Sequence, residues 1–184
     1  MTVPQLAALS AASLCFASYG WGLLRFFAEP GGAPGTGLVK ATTAACIAAH
    51  IGALAVFYRH GDARFAAAMA LYGLSLWLFW WAVAVNRARP LSLAFSTDAP
   101  EHLVTAGPYA HIRHPLYVSY MLCWIAGVLA SGWSALLITV LAMGWLYRRA
   151  ALAEEAKFAA SPLASDYARY AARAGRYLPR LFGR

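Results

Sequence analysis

Residues 116–147 read LYVSYMLCWIAGVLASGWSALLITVLAMGWLY, 32 positions without a charged side chain or a histidine. A membrane-spanning helix needs about 20 apolar residues to cross the hydrocarbon core. This block is therefore too long for one span and slightly short for two. Ser131-Gly132 lies at its centre and is typical of a tight turn. The stretch predicts a helical hairpin of two short transmembrane helices.

Three segments upstream are also long and apolar enough to span a membrane: Val3 to Phe27, Leu38 to Tyr58 and Phe65 to Val85. Over the whole chain 61% of residues are hydrophobic and 12% are charged, whereas about a quarter are charged in soluble domains. The sequence predicts an all-α integral membrane protein with about five transmembrane helices. Residues 1–85 would carry three spans, and residues 86–184 a loop, the hairpin and cytosolic C-terminal helices, together forming one integrated domain.

The charges predict the orientation of these spans. With five spans, all of the 15 lysines and arginines except Arg59 and Arg64 fall on the side that holds the C-terminus. The positive-inside rule then places the C-terminus and the loop in the cytoplasm. The net charge of +8 therefore reflects topology and contact with anionic lipid, and no nucleic-acid partner is predicted. The oligomeric state stays open.

Four residues inside the apolar segments have chemistry of their own. His50 is costly in hydrocarbon, and such residues are often functional; we favour the alternative of a neutral histidine hydrogen-bonded between helices. The three cysteines occur singly, without the spacing of a metal site or a disulfide framework: Cys15, Cys46 and Cys123. Neither a metal nor a disulfide is predicted.

The polar stretch before the hairpin, from Glu101 to Tyr117, reads EHLVTAGPYAHIRHPLY. It contains three histidines, an arginine and two tyrosines. Pro115 suits the first turn of a helix, where free N–H groups favour an anion. Arg113 and His114 add donors beside that turn. The loop predicts a site for an anionic, amphipathic small molecule at the membrane surface.

A second charged cluster follows the hairpin, with Arg148-Arg149 and then Glu154-Glu155. Because a short hairpin brings its two ends together, we expect this cluster beside His114 and Tyr117. The combined site carries both charge signs, as a zwitterionic cofactor requires.

The C-terminal segment has two further patterns. Four arginines recur at helical spacing and predict one narrow stripe: Arg169, Arg173, Arg176 and Arg180. Three tyrosines fall on a neighbouring face: Tyr167, Tyr170 and Tyr177. An interfacial helix whose arginines contact anionic lipids fits this arrangement, and so does a helix packed against the cytosolic part of the protein.

The motif Leu103-Val104-Thr105-x-Gly107-Pro108-Tyr109-x-x-x-Arg113-His114-Pro115-x-Tyr117 closely resembles the signature of the isoprenylcysteine carboxyl methyltransferase family. Glu154-Glu155 and Tyr167-x-x-Tyr170 follow in the order of that family, and the similarity covers roughly residues 86–182. The resemblance implies a membrane-embedded methyltransferase that uses S-adenosylmethionine and acts on a lipophilic acceptor.

The resemblance also implies the residues that hold the cofactor. Four would line its pocket: His102, Leu103, Val104 and Tyr109. Four at the start of the next helix would close it: His114, Pro115, Leu116 and Tyr117. Glu154 would contact the cofactor from the other side. The family places an arginine about one turn earlier, facing the substrate; Ala150 stands at that position here, so we expect Arg149 to orient the substrate.

The reaction implied is an in-line attack on the sulfonium methyl group, in which orientation and exclusion of water contribute most. A carboxylate or thiolate acceptor needs no general base. An amine or hydroxyl acceptor would use His102, His111 or Tyr117. The acceptor stays open among a prenyl-cysteine, a phospholipid amine, a quinone-like lipid and a small thiol.

Other interpretations of the same residues are weaker. NADPH-dependent membrane sterol or enone reductases have a similar Arg-His-Pro loop, but they need extra basic groups for the 2′-phosphate and usually more spans. A non-catalytic membrane protein could bind anionic lipid through its arginines, with Arg113 and His114 capping a helix. A metal between His111 and His114 would lack an acidic ligand at helical spacing.

Overall fold

The computed structural model describes residues 1–26, 36–58, 62–86, 100 and 102–180. Within these ranges the regular elements are six α-helices and two short 3-10 turns. The helices are α1 Val3–Phe26, α2 Thr36–Val56, α3 Asp62–Asn86, α4 Pro115–Ser131, α5 Leu137–Ala159 and α6 Ala164–Arg173. The predicted all-helical fold is confirmed. Part of the predicted loop after residue 86 lies outside the described residues. Arg59 also lies outside them.

Four segments are long and apolar enough to cross a membrane: Val3–Arg25, Gly37–Val56, Ala63–Asn86 and Ser134–Ala159. At most 39% of the residues in each are buried inside the protein. Their apolar side chains therefore face outward, as lipid-exposed helices require. The three predicted upstream spans correspond to α1, α2 and α3.

Helix α4 has 17 residues, or about 26 Å of helix at 1.5 Å per residue, against a hydrocarbon core of about 30 Å. It ends where the turn was predicted, with Gly132 at a left-handed φ of 66° that glycine adopts without strain. Helices α4 and α5 pack together, and Trp124 Nε1 donates to the Tyr147 hydroxyl at 3.1 Å. Five spans with a membrane-inserted hairpin stay a prediction.

The charged residues that follow the apolar block do not form a separate helix. Residues 137–159 form one continuous helix, which carries Arg148 and Glu154 as well as the apolar residues of the predicted returning span. No proline or glycine after Gly144 interrupts it, and alanine favours helix. The glutamate pair is therefore a rigid extension of a membrane helix.

A buried polar contact joins α3 to α4 at the centre of the bundle. Ser75 donates to the backbone oxygen of Ser119 at 2.6 Å, and Tyr19 of α1 hydrogen-bonds Ser75. Both serines are fully buried. Since a buried hydroxyl without a partner is costly, this contact fixes how α1, α3 and α4 meet.

His50 of α2 is buried, and its Nε2 lies 2.6 Å from the Thr139 hydroxyl of α5. The predicted hydrogen bond between helices is thereby confirmed. Gly127 of α4 lies directly against the His50 ring, where a Cβ atom would overlap Nδ1. The missing side chain at Gly127 lets α2 and α4 approach.

The predicted arginine stripe is interrupted, because α6 ends at Arg173. Ala174 is extended, with ψ of 131°, and the next residue is Gly175, a poor helix former. Arg176 and Arg180 therefore lie outside the helix. The helix packs on α5, where Tyr167 stacks on Phe158 at 4.8 Å between ring centroids. This packing matches the alternative of a helix docked on the cytosolic part of the protein.

We expect Gly127→Ala to lower the free energy of unfolding by about 1–3 kcal/mol, because the added methyl group overpacks the contact with His50. Gly73→Ala on α3 is the matched control, since a Cβ there meets nothing within 4 Å. It should be neutral or stabilising. Thermal unfolding in detergent, followed by circular dichroism, measures both variants. Equal melting temperatures would contradict this packing.

Candidate active site

The loop before α4 is anchored on α3 through a short turn, Gly107–Ala110. Gly107 has a positive φ of 57°, and a Cβ there would lie 2.5 Å from Val85. Only glycine meets both requirements without strain. The Gly-Pro-Tyr part of the motif thus places Tyr109 against the end of α3.

Tyr109 links three parts of the chain. Asn86, the last residue of α3, donates through Nδ2 to the Tyr109 hydroxyl at 2.9 Å. The Tyr170 hydroxyl of α6 donates to the backbone oxygen of Tyr109 at 2.7 Å. Burial raises the pKa of Tyr109 well above its usual value, so its hydroxyl stays protonated. Tyr109 therefore acts as an anchor and not as a proton acceptor.

His114 lies between the two glutamates of α5. Its Nδ1 is 3.2 Å from Glu154 Oε2, and its Nε2 is 3.1 Å from Glu155 Oε1. Burial opposes the charged ring, but the hydrogen bonds and charges of both carboxylates outweigh it and raise the pKa of His114. The predicted proximity of the histidine-arginine loop to the glutamate pair is present in the structure.

Tyr117 holds the second oxygen of Glu154. Its hydroxyl donates to Glu154 Oε1 at 2.6 Å. The Tyr117 ring lies between two others, stacked on His114 at 5.5 Å and on Tyr147 at 5.3 Å between centroids. Both oxygens of Glu154 are thus directed by fixed donors, while 27% of its side chain stays accessible.

Glu155 is surrounded by cations. Arg113 donates to Oε1 from Nε at 3.2 Å and from Nη2 at 3.0 Å. Arg176 donates to Oε1 from Nε at 2.9 Å and to Oε2 from Nη2 at 2.7 Å. The Glu155 side chain is 15% exposed. Two guanidinium groups therefore compensate one buried carboxylate.

The segment after α6 runs beside the loop. Arg113 N donates to the Gly175 oxygen at 2.7 Å, His114 N to the Arg176 oxygen at 3.1 Å, and Gly175 N to the His111 oxygen at 3.1 Å. A Cβ at Gly175 would overlap the Leu178 oxygen, so the turn needs glycine. We call residues 174–177 the tail segment.

The remaining predicted cofactor residues differ in their burial. Val104 and Leu116 pack with Tyr109 in one apolar cluster. Pro115 is buried in the first turn of α4. His102 and Leu103 are half-buried.

Two residues that the sequence did not assign to the site also belong to this cluster, Arg176 and Tyr177. The Tyr177 ring lies 6.0 Å from that of His114. The helical spacing predicts Arg176 on one stripe with the other arginines, either at the lipid surface or on a helix packed against the protein. Gly175 was the signal that the helix ends first and that the chain turns back.

Arg149 is exposed and does not join the cluster. Its guanidinium lies 5.0 Å from the Trp145 ring centroid, one turn earlier on α5. Five residues separate it from Glu154, or about 140° around a helix. Its substrate-orienting role stays a prediction. Arg148 is also exposed.

The family model described as phospholipid methyltransferase matches residues 63–161, more than half of the chain. The match covers nearly all of α3, all of α4 and all of α5. It includes His114, Tyr117 and Glu154, whereas the tail segment lies beyond it. No curated protein matches the chain.

His114 makes the stability of this cluster depend on pH. Because the pKa of His114 in the folded protein is raised above its usual value, its contribution is complete below the unfolded pKa and is lost as pH rises through the folded pKa. We expect the melting temperature of the wild type, relative to His114→Gln, to fall as the pH rises above the usual histidine pKa of about 6.5. Melting curves of both proteins measure this difference. A difference that does not change with pH would contradict the assignment.

Proposed function

Since the chain belongs to the phospholipid methyltransferase family, we propose that it transfers the methyl group of S-adenosylmethionine to a lipophilic acceptor at the membrane surface. Membership agrees with the resemblance drawn from residues 103–117, and it shows a membrane methyltransferase. The methyl donor, the class of acceptor and the residues that bind them are the proposal.

The observation that carries the proposal is the fixed carboxylate of Glu154 at the end of apolar helices. Tyr117 and His114 hold its two oxygens, and part of the side chain stays accessible. A carboxylate fixed in this way is suited to an ammonium group or to ribose hydroxyls. Because Glu154 lies on α5, a ligand bound to it would lie close to the membrane from which the acceptor would come.

The residues present fit S-adenosylmethionine. Glu154 would hold a positively charged or hydroxyl-bearing part of it. His102 Nε2 and the Tyr177 hydroxyl are buried, with no hydrogen-bond partner among the residues that the structure describes, and a bound molecule would satisfy such groups. The cofactor, when bound, supplies a methyl group already activated by a sulfonium centre. The protein then needs to orient the reactants and exclude water.

The proton-accepting groups of the cluster favour an acceptor that is already ionised. His114 faces two carboxylates, which raise its pKa, and the Tyr117 hydroxyl donates to Glu154. Burial also raises the pKa of Tyr177. A protonated amine would have to lose its proton to His102 or His111. We therefore propose a lipid-linked carboxylate or thiolate as the acceptor, in preference to a phospholipid amine.

Orientation and lipid contact complete the proposal. The positive-inside rule supports a cytoplasmic site and C-terminus. Arg173 and Arg180 are exposed, and we propose that they contact anionic lipid, while Arg176 is engaged by Glu155.

We expect the purified protein to transfer tritium from methyl-labelled S-adenosylmethionine to a lipid in total membrane extract. Glu154→Gln should reduce the transfer by at least about tenfold, because the amide cannot replace a charged hydrogen-bond acceptor. Asp166→Asn is the matched control, since Asp166 lies on the surface of α6 and pairs with Arg169. Identifying the labelled product distinguishes a methyl ester or thioether from a methylated amine.

Absence of transfer, together with no heat of binding for S-adenosylmethionine, would reject the proposed function. Binding of NADPH in the same experiment would instead favour a reductase. Equal activity of Glu154→Gln and Asp166→Asn would remove Glu154 from the site.

A cytoplasmic site predicts how single cysteines react in intact cells. In a background with Cys15, Cys46 and Cys123 replaced, a cysteine at Arg180 should be protected from a membrane-impermeant maleimide until the membrane is opened. A cysteine at Thr2, which is exposed, should react in intact cells, because five spans place the termini on opposite sides. Labelling of both in intact cells would contradict this topology.

A further inference from the structure

We propose that Glu155 is a positioning residue, which holds His114 as a cation hydrogen-bonded at both ring nitrogens and thereby fixes the carboxylate of Glu154. The inference rests on the proposed function only in treating Glu154 as a ligand-binding group. The arrangement of the three side chains can be tested without any methyl donor.

Both ring nitrogens of His114 face carboxylate oxygens. A carboxylate only accepts hydrogen bonds, and both nitrogens of His114 lie within 3.2 Å of carboxylate oxygens. Both nitrogens must therefore carry a proton for both contacts to be hydrogen bonds. The ring is buried, with 7% of its side chain exposed, so water cannot easily replace either partner.

Charged and titratable groups from several elements surround the His114 ring. Glu154 and Glu155 face it from α5, and Tyr117 stacks on it from α4. Tyr177 of the tail segment lies beside it. The guanidinium groups of Arg113 and of Arg176, which also belongs to the tail segment, pair with Glu155.

In this set Glu155 has a double function. Its charge keeps the two guanidinium groups from opposing the charged ring, and its Oε1 accepts a hydrogen bond from His114 Nε2–H. The raised pKa of His114 agrees with this arrangement. Without Glu155 the ring would face two uncompensated guanidinium groups and would lose a proton.

The protonation state of His114 determines how firmly Glu154 is held. Its Oε2 is held by His114 and its Oε1 by Tyr117, which is itself stacked between His114 and Tyr147. A neutral His114 could still occupy its place, but one of its nitrogens would then carry a lone pair toward a carboxylate. The ring would turn away, and Glu154 would lose one of the two donors that set its direction.

The test is nitrogen-15 NMR of the full-length protein, labelled at histidine, in detergent micelles. The His114 signals are assigned with His114→Asn. An imidazolium ring shows two nitrogens with nearly equal shifts, whereas a neutral ring shows one protonated and one unprotonated nitrogen. We expect the wild-type signal at neutral pH to be that of the imidazolium. The neutral pattern at this pH would overturn the proposal.

Two substitutions should move the titration midpoint of His114 in opposite directions. Glu155→Gln should lower it by at least about one pH unit, because the compensating charge is gone. Arg176→Gln should raise it, because Glu155 keeps its charge with one guanidinium fewer. The tail segment stays in place through its backbone hydrogen bonds. Asp166→Asn, far from the ring on the surface of α6, should leave the midpoint unchanged.

A purely structural role of Glu155 predicts another result. Loosening the cluster would then move the midpoint in the same direction for Glu155→Gln and Arg176→Gln, toward that of a solvent-exposed histidine. Such a result would overturn the proposal. So would a midpoint unaffected by Glu155→Gln.

Calorimetry with S-adenosylmethionine separates this inference from the proposed function. We expect Glu155→Gln to weaken binding by about tenfold, through misdirection of Glu154, and Asp166→Asn to bind as the wild type does. If the wild type binds no donor but the opposite NMR shifts are seen, the positioning role of Glu155 stands and the proposed function falls. If the donor binds and the shifts are absent, the reverse holds.

Discussion

The buried ion cluster at the end of α5 is the constraint on which the site depends. Two adjacent carboxylates, Glu154 and Glu155, enter a low-exposure region where an unpaired charge is costly. The chain meets this cost with His114 and Arg113 of the loop and Arg176 of the tail segment. Because these cations come from two distant parts of the sequence, the cluster joins the loop, the α5 extension and the tail segment into one unit. The hydrogen bonds of Tyr109 to Asn86 and Tyr170 attach that unit to the membrane helices.

Much of this arrangement could be predicted from the sequence, because a membrane-spanning helix needs a long apolar segment that is easily recognised. The long apolar segments predicted the helices, since a lipid-exposed backbone must satisfy its own hydrogen bonds. The uncharged block from Leu116 to Tyr147 predicted that His114 and Glu154 meet, since helices joined by a short turn run back alongside each other. Gly107 was part of a recognisable motif, and the structure adds the reason: its Cβ would collide with Val85.

The positions of the arginines and the extent of α5 depend on interactions that residue spacing does not encode. The arginines from 169 to 180 fit a helical period, yet Gly175 ends the pattern and Arg176 turns to Glu155. Arg149 lies on the exposed side of α5 beside Trp145, and its substrate-orienting role stays a prediction. The continuity of α5 was missed because a change from apolar to charged residues does not by itself break a helix.

The parallel pairing of the tail segment with residues 111–114 has a consequence for the order of assembly. The ribosome releases residues 174–177 after α1 to α5 have been synthesised. A nascent chain can therefore insert its membrane helices while Glu155 still lacks one of its guanidinium partners. Insertion and completion of the site become separate events, and a chain that stops before Arg176 would reach the bilayer with its polar cluster unfinished.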